Sequence, residues 1–287
     1  MKSFTTPGPA ALTVRFAAGR LTVRSGGDAE DPVATTASID VRPANADSTA
    51  DVEHAAATVV EQRGDTIEVI APTAKGWFGR NPRLDIRATV PRGSRVDVDV
   101  KSADVELAGE LGQVAVSSAS GDVAVEHTDE LRVRTASGDV SSRAITGNAS
   151  VNTASGDVRL DAIGGSAELS TASGDVNVNH VVGDARVRSA SGDVGLKEAD
   201  GSVAVRTASG DVRIGAVRRA TVEVDSASGD VEIGVAAGTS AWLDVQALSG
   251  SVSSALDPAD APSDDAETVS IHAHTLSGDI HVRRASN

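Results

Sequence analysis

Residues 153–176 read TASGDVRLDAIGGSAELSTASGDV, one hexapeptide written twice with its Asp at 157 and again at 175. Between the two copies the apolar residues alternate. Val158 and Leu160 follow the first Asp, then come Ile163 and a Gly-Gly-Ser turn, and Ala167 and Leu169 precede the second copy. Period-two alternation is the mark of a strand with one buried face. This segment therefore predicts two short strands and two turns, with a third short side near Ile163. One such unit cannot cover its own apolar face.

The pattern extends outward from there. TASGDV also begins at Thr135 and Thr207, and SASGDV begins at Ser118, Ser189 and Ser226. The Asp residues are Asp122, Asp139, Asp157, Asp175, Asp193, Asp211 and Asp230, in steps of 17, 18, 18, 18, 18 and 19 residues. A degenerate copy places Asp104 upstream, and two late copies place Ser251 and Asp279 at the same position. A fixed period of this length specifies a repeat architecture in which each unit buries its neighbour. The fold class is all-β. Specifically, it predicts a right-handed parallel β-solenoid with coils of about 18 residues, two to three short strands per coil, each strand pairing with its equivalent one period later. At about 4.8 Å per coil the stack predicts a rod on the order of 40–50 Å long. Aromatic residues make up only 2% of the chain. A thin interior filled by Val, Leu and Ile ladders accounts for that.

The whole chain, 1–287, reads as a single solenoid domain: irregular N-terminal coils and a cap over 1–100, regular coils over 101–235, and C-terminal coils over 236–287. Before residue 100, LTVRF, LTVRS, SIDVR, TIEVI and LDIRATV read as strands, and DVEHAAA, 51–57, as a short helix. KGWFGRNPR, 75–83, reads as a loop whose aromatics cover an edge. DPADAPSDDAE, 257–267, reads as a flexible acidic loop between AWLDVQALSG and VSIHAHTLSGDI, the last two coils.

Within the repeat, Gly121, Gly138, Gly156, Gly174, Gly192, Gly210 and Gly229 suit turns that need positive φ. The column Ala136, Ala154, Ala172, Ala190, Ala208 and Ala227 implies a tight corner. Stacking the Asp column sets like charges about 4.8 Å apart, a repulsion of roughly 0.9 kcal/mol per pair at water-like dielectric. Two devices offset it: hydrogen bonds from each turn's own backbone, with nearby Arg or Lys, or a row of calcium ions along Asp122–Asp230. The calcium-binding repeat signature needs GGxGxD with an apolar residue two after the Asp. ASGDV carries one Gly, and its apolar residues stand one and three after the Asp, which favours the backbone device. His272 and His274 alternate on one strand, with His281 near the next, and lack the carboxylate or Cys spacing of a metal site. No nucleophile elbow, phosphate loop or HExxH occurs.

The formal charge is −15, which excludes a phosphate-binding surface for nucleic acid. No cysteine is present, so neither disulfides nor thiolate metal sites arise. No apolar run reaches a membrane span or a signal peptide, and the default location is the cytoplasm, surface exposure remaining open.

The opening strand LTVRF, the segment PRLDIRATVPRGSRV, the repeated TASGDV and the closing AWLDVQALSGSV and HTLSGDIHVRR together resemble a bacterial family of uncharacterised β-strand-repeat proteins, labelled adhesins and common in actinobacteria. The resemblance implies a β-helical fold, no established catalytic site and no binding residues to carry over. The expected function is a non-enzymatic, adhesin-like scaffold or interaction surface for an unidentified protein or glycan, with no cofactor and no catalytic or metal residues. Arg134, Arg188 and Arg206 stand at one outward position before the turns, where pairing with nearby acids is the ordinary role of such charges. The alternatives are a polysaccharide-active β-helix enzyme with non-repeating carboxylates in a cleft, and a cytoskeletal scaffold that self-associates end to end rather than remaining a monomer.

Overall fold

The computed structural model describes residues 1–26, 36–73, 81–256 and 267–285. Most of the aromatic loop at 75–83 and all but Glu267 of the acidic segment 257–267 lie outside the described residues. The chain divides into two compact units, Met1–Ile145 and Thr146–Asn287.

The first unit contains β1 (Lys2–Thr5), β2 (Ala11–Gly26), β3 (Thr36–Pro43), α1 (Thr49–Ala57), β4 (Val59–Arg63), β5 (Thr66–Ile70), β6 (Arg83–Pro91), β7 (Arg95–Ser120), β8 (Val123–Ser137) and β9 (Val140–Ile145). LTVRF and LTVRS are one strand, β2, turned at Gly19, whose φ is 129°. β2 pairs in parallel with β7 on one side and with β5 and β6 on the other. β7 then pairs in parallel with β8, and β8 with β9. The early strands depart from the solenoid rule. β3 runs antiparallel to β6 and to β1, and β4 runs antiparallel to β5. Helix α1 is capped by Ser48, whose hydroxyl accepts from the Asp51 N–H.

The second unit contains β10 (Ala149–Ser155), β11 (Val158–Ile163), β12 (Ala167–Ser173), β13 (Val176–Val181), β14 (Ala185–Ser191), β15 (Val194–Ala199), β16 (Val203–Ser209), β17 (Val212–Val217), β18 (Thr221–Ser228), β19 (Val231–Val235), β20 (Ser240–Ser249), β21 (Val252–Ser254), β22 (Thr268–Ser277) and β23 (Ile280–Arg284). From β10 to β19, every strand pairs in parallel with the strand two along, so Val158 lies beside Val176 and Thr153 beside Thr171. This is the β-solenoid that the period demands. Val, Leu and Ile ladders fill its interior: Val176, Val194, Val212 and Val231 form one fully buried column. The short side is a bend in the first strand of each coil, with Ile163, Val181 and Val217 turned inward.

The last coils are stacked out of chain order. β18 and β19 pair not with β20 and β21 but with β22 and β23, and β20 and β21 pair with the far sides of β22 and β23. The end of the chain thus fills the place next to coil 221–235, and coil 240–254 is outermost. The repeat identifies both coils. It does not encode their order, because every inward column offers the same kind of residue to either neighbour.

Candidate functional site

The repeated corner TASGDV is where the polar chemistry concentrates. Its first residue points inward: Thr135, Thr153, Thr171, Ser189, Thr207, Ser226 and Thr275 are all buried. The hydroxyl of Thr171 donates to the Ser173 carbonyl at 3.1 Å, and Thr153, Ser189, Thr207 and Thr275 do the same to the carbonyl two residues on. Ser226 alone leaves its buried Oγ without a partner, in the coil with the 19-residue step. The Ala, and the Ser between it and the glycine, face solvent, from Ala136 and Ser137 through Ala227 and Ser228. The Ala column stands on the outside of the corner, and the inward place belongs to the hydroxyl residue before it.

Each motif glycine has positive φ, from 116° at Gly192 to 134° at Gly138. In the second unit a Cβ on Gly174, Gly192, Gly210 or Gly229 would also overlap the carbonyl oxygen of the glycine one coil back. The close approach of backbones and the left-handed conformation both exclude a side chain here.

The Asp column forms a backbone ladder between coils. Asp175 N–H donates to Asp157 Oδ1 at 3.0 Å, Asp193 N–H to Asp175 Oδ1 at 2.9 Å, and Asp211 N–H to Asp193 Oδ1 at 2.9 Å. In the same corner Val158 N–H donates to the Asp175 carbonyl at 2.8 Å. The donor to each carboxylate is thus the next coil's Asp N–H rather than its own turn, as the sequence reading has it. Oδ1 of Asp230 takes the N–H of Asp279, and Oδ1 of Asp279 takes that of Ser251, so the ladder follows the spatial order of the coils. The first unit holds the same device: Asp122 N–H points to Asp104 Oδ1 at 3.4 Å and Asp139 N–H to Asp122 Oδ1 at 3.0 Å. Its first member is not an acid. Arg20, in register with Asp104 after the Gly19 turn, pairs with it at 3.8 Å.

In two of these carboxylates the second oxygen pairs with Arg on the following strand. Asp157 Oδ2 pairs with Arg159 at 2.6 Å and Asp211 Oδ2 with Arg213 at 2.8 Å. Hydrogen bonds to charged groups contribute roughly 1.5–3 kcal/mol each, which outweighs about 0.9 kcal/mol of repulsion between neighbours. The N–H of Asp175 holds the Asp157 carboxyl below its ordinary value, helped by Arg159. The N–H and hydroxyl of Ser251 do the same for Asp279. Among the described residues no three His, Asp or Glu gather as metal ligands.

A second ladder, unmarked in the sequence, runs along the opposite turn. Ser166 N–H donates to Asn148 Oδ1 at 2.9 Å, Asp184 N–H to Ser166 Oγ at 3.3 Å, and Ser202 N–H to Asp184 Oδ1 at 3.1 Å. Asn, Ser and Asp alternate here because only an acceptor oxygen at that reach is needed. The residue type varies while the chemistry does not.

On the flat faces, Arg188 pairs with Glu168 at 3.5 Å and Arg206 with Asp225 at 3.3 Å. His272 and His274 stand on β22 beside Asp244 and Asp225, at 3.5 and 4.0 Å, and His281 stands on β23. An open groove of about 650 Å³ in the first unit is lined by Arg20, Arg24, Arg83, Arg87, Asp85, Asp104 and Glu106. Asp85 is paired with Arg87 at 2.9 Å. No helix among the described residues is long and apolar enough to cross a membrane.

Residues 33–242 match the family model described as Toastrack DUF4097. The chain belongs to the Toastrack family. Among solved structures, this Toastrack chain is similar to a candidate cell adhesion protein from Clostridium sporogenes, with 9% identity over 99% of this chain and 98% of that one, and a TM-score of 0.23. No match is found among curated proteins.

Proposed function

We propose that this Toastrack chain is a non-enzymatic display scaffold, whose outward rows contact an extended partner surface, a protein or a glycan. The observation that carries the reading is the contrast between its inner and outer columns. Inward, one column of the second unit runs Val158, Val176, Val194, Val212, Val231. The outward column beside it, one residue on, runs Arg159, Asn177, Gly195, Arg213, Glu232. The strands before the motif corners show the same contrast, with Asn152, Ser170, Arg188, Arg206, Asp225 and His274 facing out. The corner acids and glycines are committed to stacking the coils, and the corner hydroxyls to closing each turn. Residue identity that differs from coil to coil therefore resides on the outer faces, spaced by about 4.8 Å. Extended rigid surfaces of this kind are how repeat proteins bind.

The first experiment is protease treatment of intact host cells. Digestion from outside directs binding screens to glycans and surface proteins; protection directs them to intracellular proteins. With the bound partner in hand, changing Arg186, Arg188 and Arg206 together to Ala is expected to weaken binding at least tenfold while leaving the melting temperature nearly unchanged, since exposed substitutions cost about 0.5 kcal/mol or less each. Binding that survives replacement of both outward rows would sink the proposal.

A further inference from the structure

Among the described residues nothing covers the outermost coil of the second unit. Among the described residues, β20 pairs only with β22 and β21 only with β23. Val252 occupies the position at which Val231 and Ile280 are fully buried, yet it is 45% exposed. Leu243 and Val245 are half-buried where Ile271 and Ala273, their neighbours in β22, have no exposure. The two outer coils also replace the outward Ala of the motif with Leu. Leu248 is 83% exposed and Trp242, on the same outward face, 59%. An unpaired strand with apolar side chains is a template for another strand.

The order of residues along β20 identifies the occupant. Ser240 N–H donates to Glu267, toward β22. Along a strand the N–H and C=O groups alternate between the two edges. The even residues therefore serve β22, and Leu243, Val245 and Ala247 present theirs to the open edge. Across an antiparallel join centred on Val245, Val245 meets itself, Leu243 meets Ala247 of the second copy, Asp244 meets Gln246, and Trp242 meets Leu248. Apolar residues face apolar ones, the hydrogen-bonding groups are the free ones, and the single charge of the strand never faces its own copy. The corner ladder also ends compatibly. Ser251 stands where an Asp would set a carboxylate at the join, and its hydroxyl donates back to Asp279 at 2.9 Å.

We propose that this chain forms a two-fold symmetric homodimer by antiparallel pairing of the β20 edges about Val245. An interface of this kind uses the same patch on both copies and closes at two. It does not grow into a filament.

The test uses the full chain. Sedimentation equilibrium over micromolar concentrations is expected to show a reversible dimer. Val245→Pro removes an N–H that faces only the open edge, and Leu248→Glu places a carboxylate opposite Trp242; each is expected to raise the dissociation constant at least tenfold. Leu248 is already exposed, so that variant keeps its fold if the proline does not. The chain lacks cysteine, so single thiols report register cleanly. Paired residues of such a join sit about 5.5 Å apart between Cα atoms, within disulfide range. Val245→Cys is expected to cross-link into a covalent dimer on mild oxidation, and Ala241→Cys is not. A monomer at every concentration, growth beyond a dimer, or equal cross-linking from position 241 would each overturn the proposal.

Discussion

A methyl group on Gly192 would meet two obstacles. Its φ of 116° is one that side chains rarely adopt, and the new carbon would overlap the Gly174 carbonyl. Strain of this kind costs about 1–3 kcal/mol and overpacking a similar amount. Gly192→Ala is expected to lower stability by about 2–4 kcal/mol in denaturant unfolding. The hydroxyl column offers a finer comparison. Ser189 donates to the Ser191 carbonyl at 3.1 Å, whereas Ser226, at the same place in its coil, donates to nothing. Ser189→Ala is expected to cost about 1 kcal/mol and Ser226→Ala close to nothing, or to stabilise, because it removes an unsatisfied buried group. Equal losses at the two positions would show that the hydroxyl contact contributes nothing. Sequence alone marks the glycines and acids as corner residues, because they recur. It does not show which way the corner faces: the polar Thr is the buried residue, and the small Ala after it faces solvent.

At the scale of the strand, the period is legible because the spacing recurs through seven copies and the alternation through all but one, the copy after Asp139, where Ser142 takes an apolar place. The Gly19 corner lacks the SGD signature, and the opposite-turn ladder mixes Asn, Ser and Asp, so neither announces itself. The coil order at the C-terminal end was also hidden, since β18 accepts β22 and would accept β20 by the same column chemistry. That order has a consequence for truncation. Among the described residues β20 pairs with nothing except β22. A chain cut after Glu267 therefore loses its attachment for coil 240–254 as well as coil 268–284. Limited proteolysis of that truncated chain is expected to trim it back to near Val235, while a chain ending at Val235 resists. If coil 240–254 instead stays protected after the cut, it docks directly on β18.

Across the whole molecule the charge is −15, and general repulsion among these acids eases as pH falls. The structured carboxylates act in the opposite sense. Asp157 and Asp279 are held low by neighbouring backbone N–H groups, Glu126 by the Gly109 N–H, and Glu110 by Arg92. A carboxyl depressed in the folded state contributes stability above its unfolded value, about 3.9 for Asp and 4.3 for Glu, and that contribution is lost as pH falls through the folded value. The melting temperature is expected to hold from pH 7 to about 5 and to drop below about 4. Asp157→Asn retains an acceptor for the Asp175 N–H but cannot titrate, so part of the acid drop should disappear. A melting temperature that climbs from pH 5 to 3 would mean that relief of repulsion dominates over the ladder.

The out-of-order stack also sets a schedule for the ribosome. Coils up to Val235 can settle one on another as they emerge, each finding its neighbour already in place. The next coil to emerge, 240–254, has no seat, because β22 and β23, the strands it pairs with among the described residues, have not been made. Asp279 joins Asp230 across a chain separation of 49 residues. At synthesis rates of about 5–20 residues per second that interval lasts roughly 2–10 s. For those seconds the edge of coil 221–235 is open beside a nascent strand that matches its columns and is not the one that belongs there.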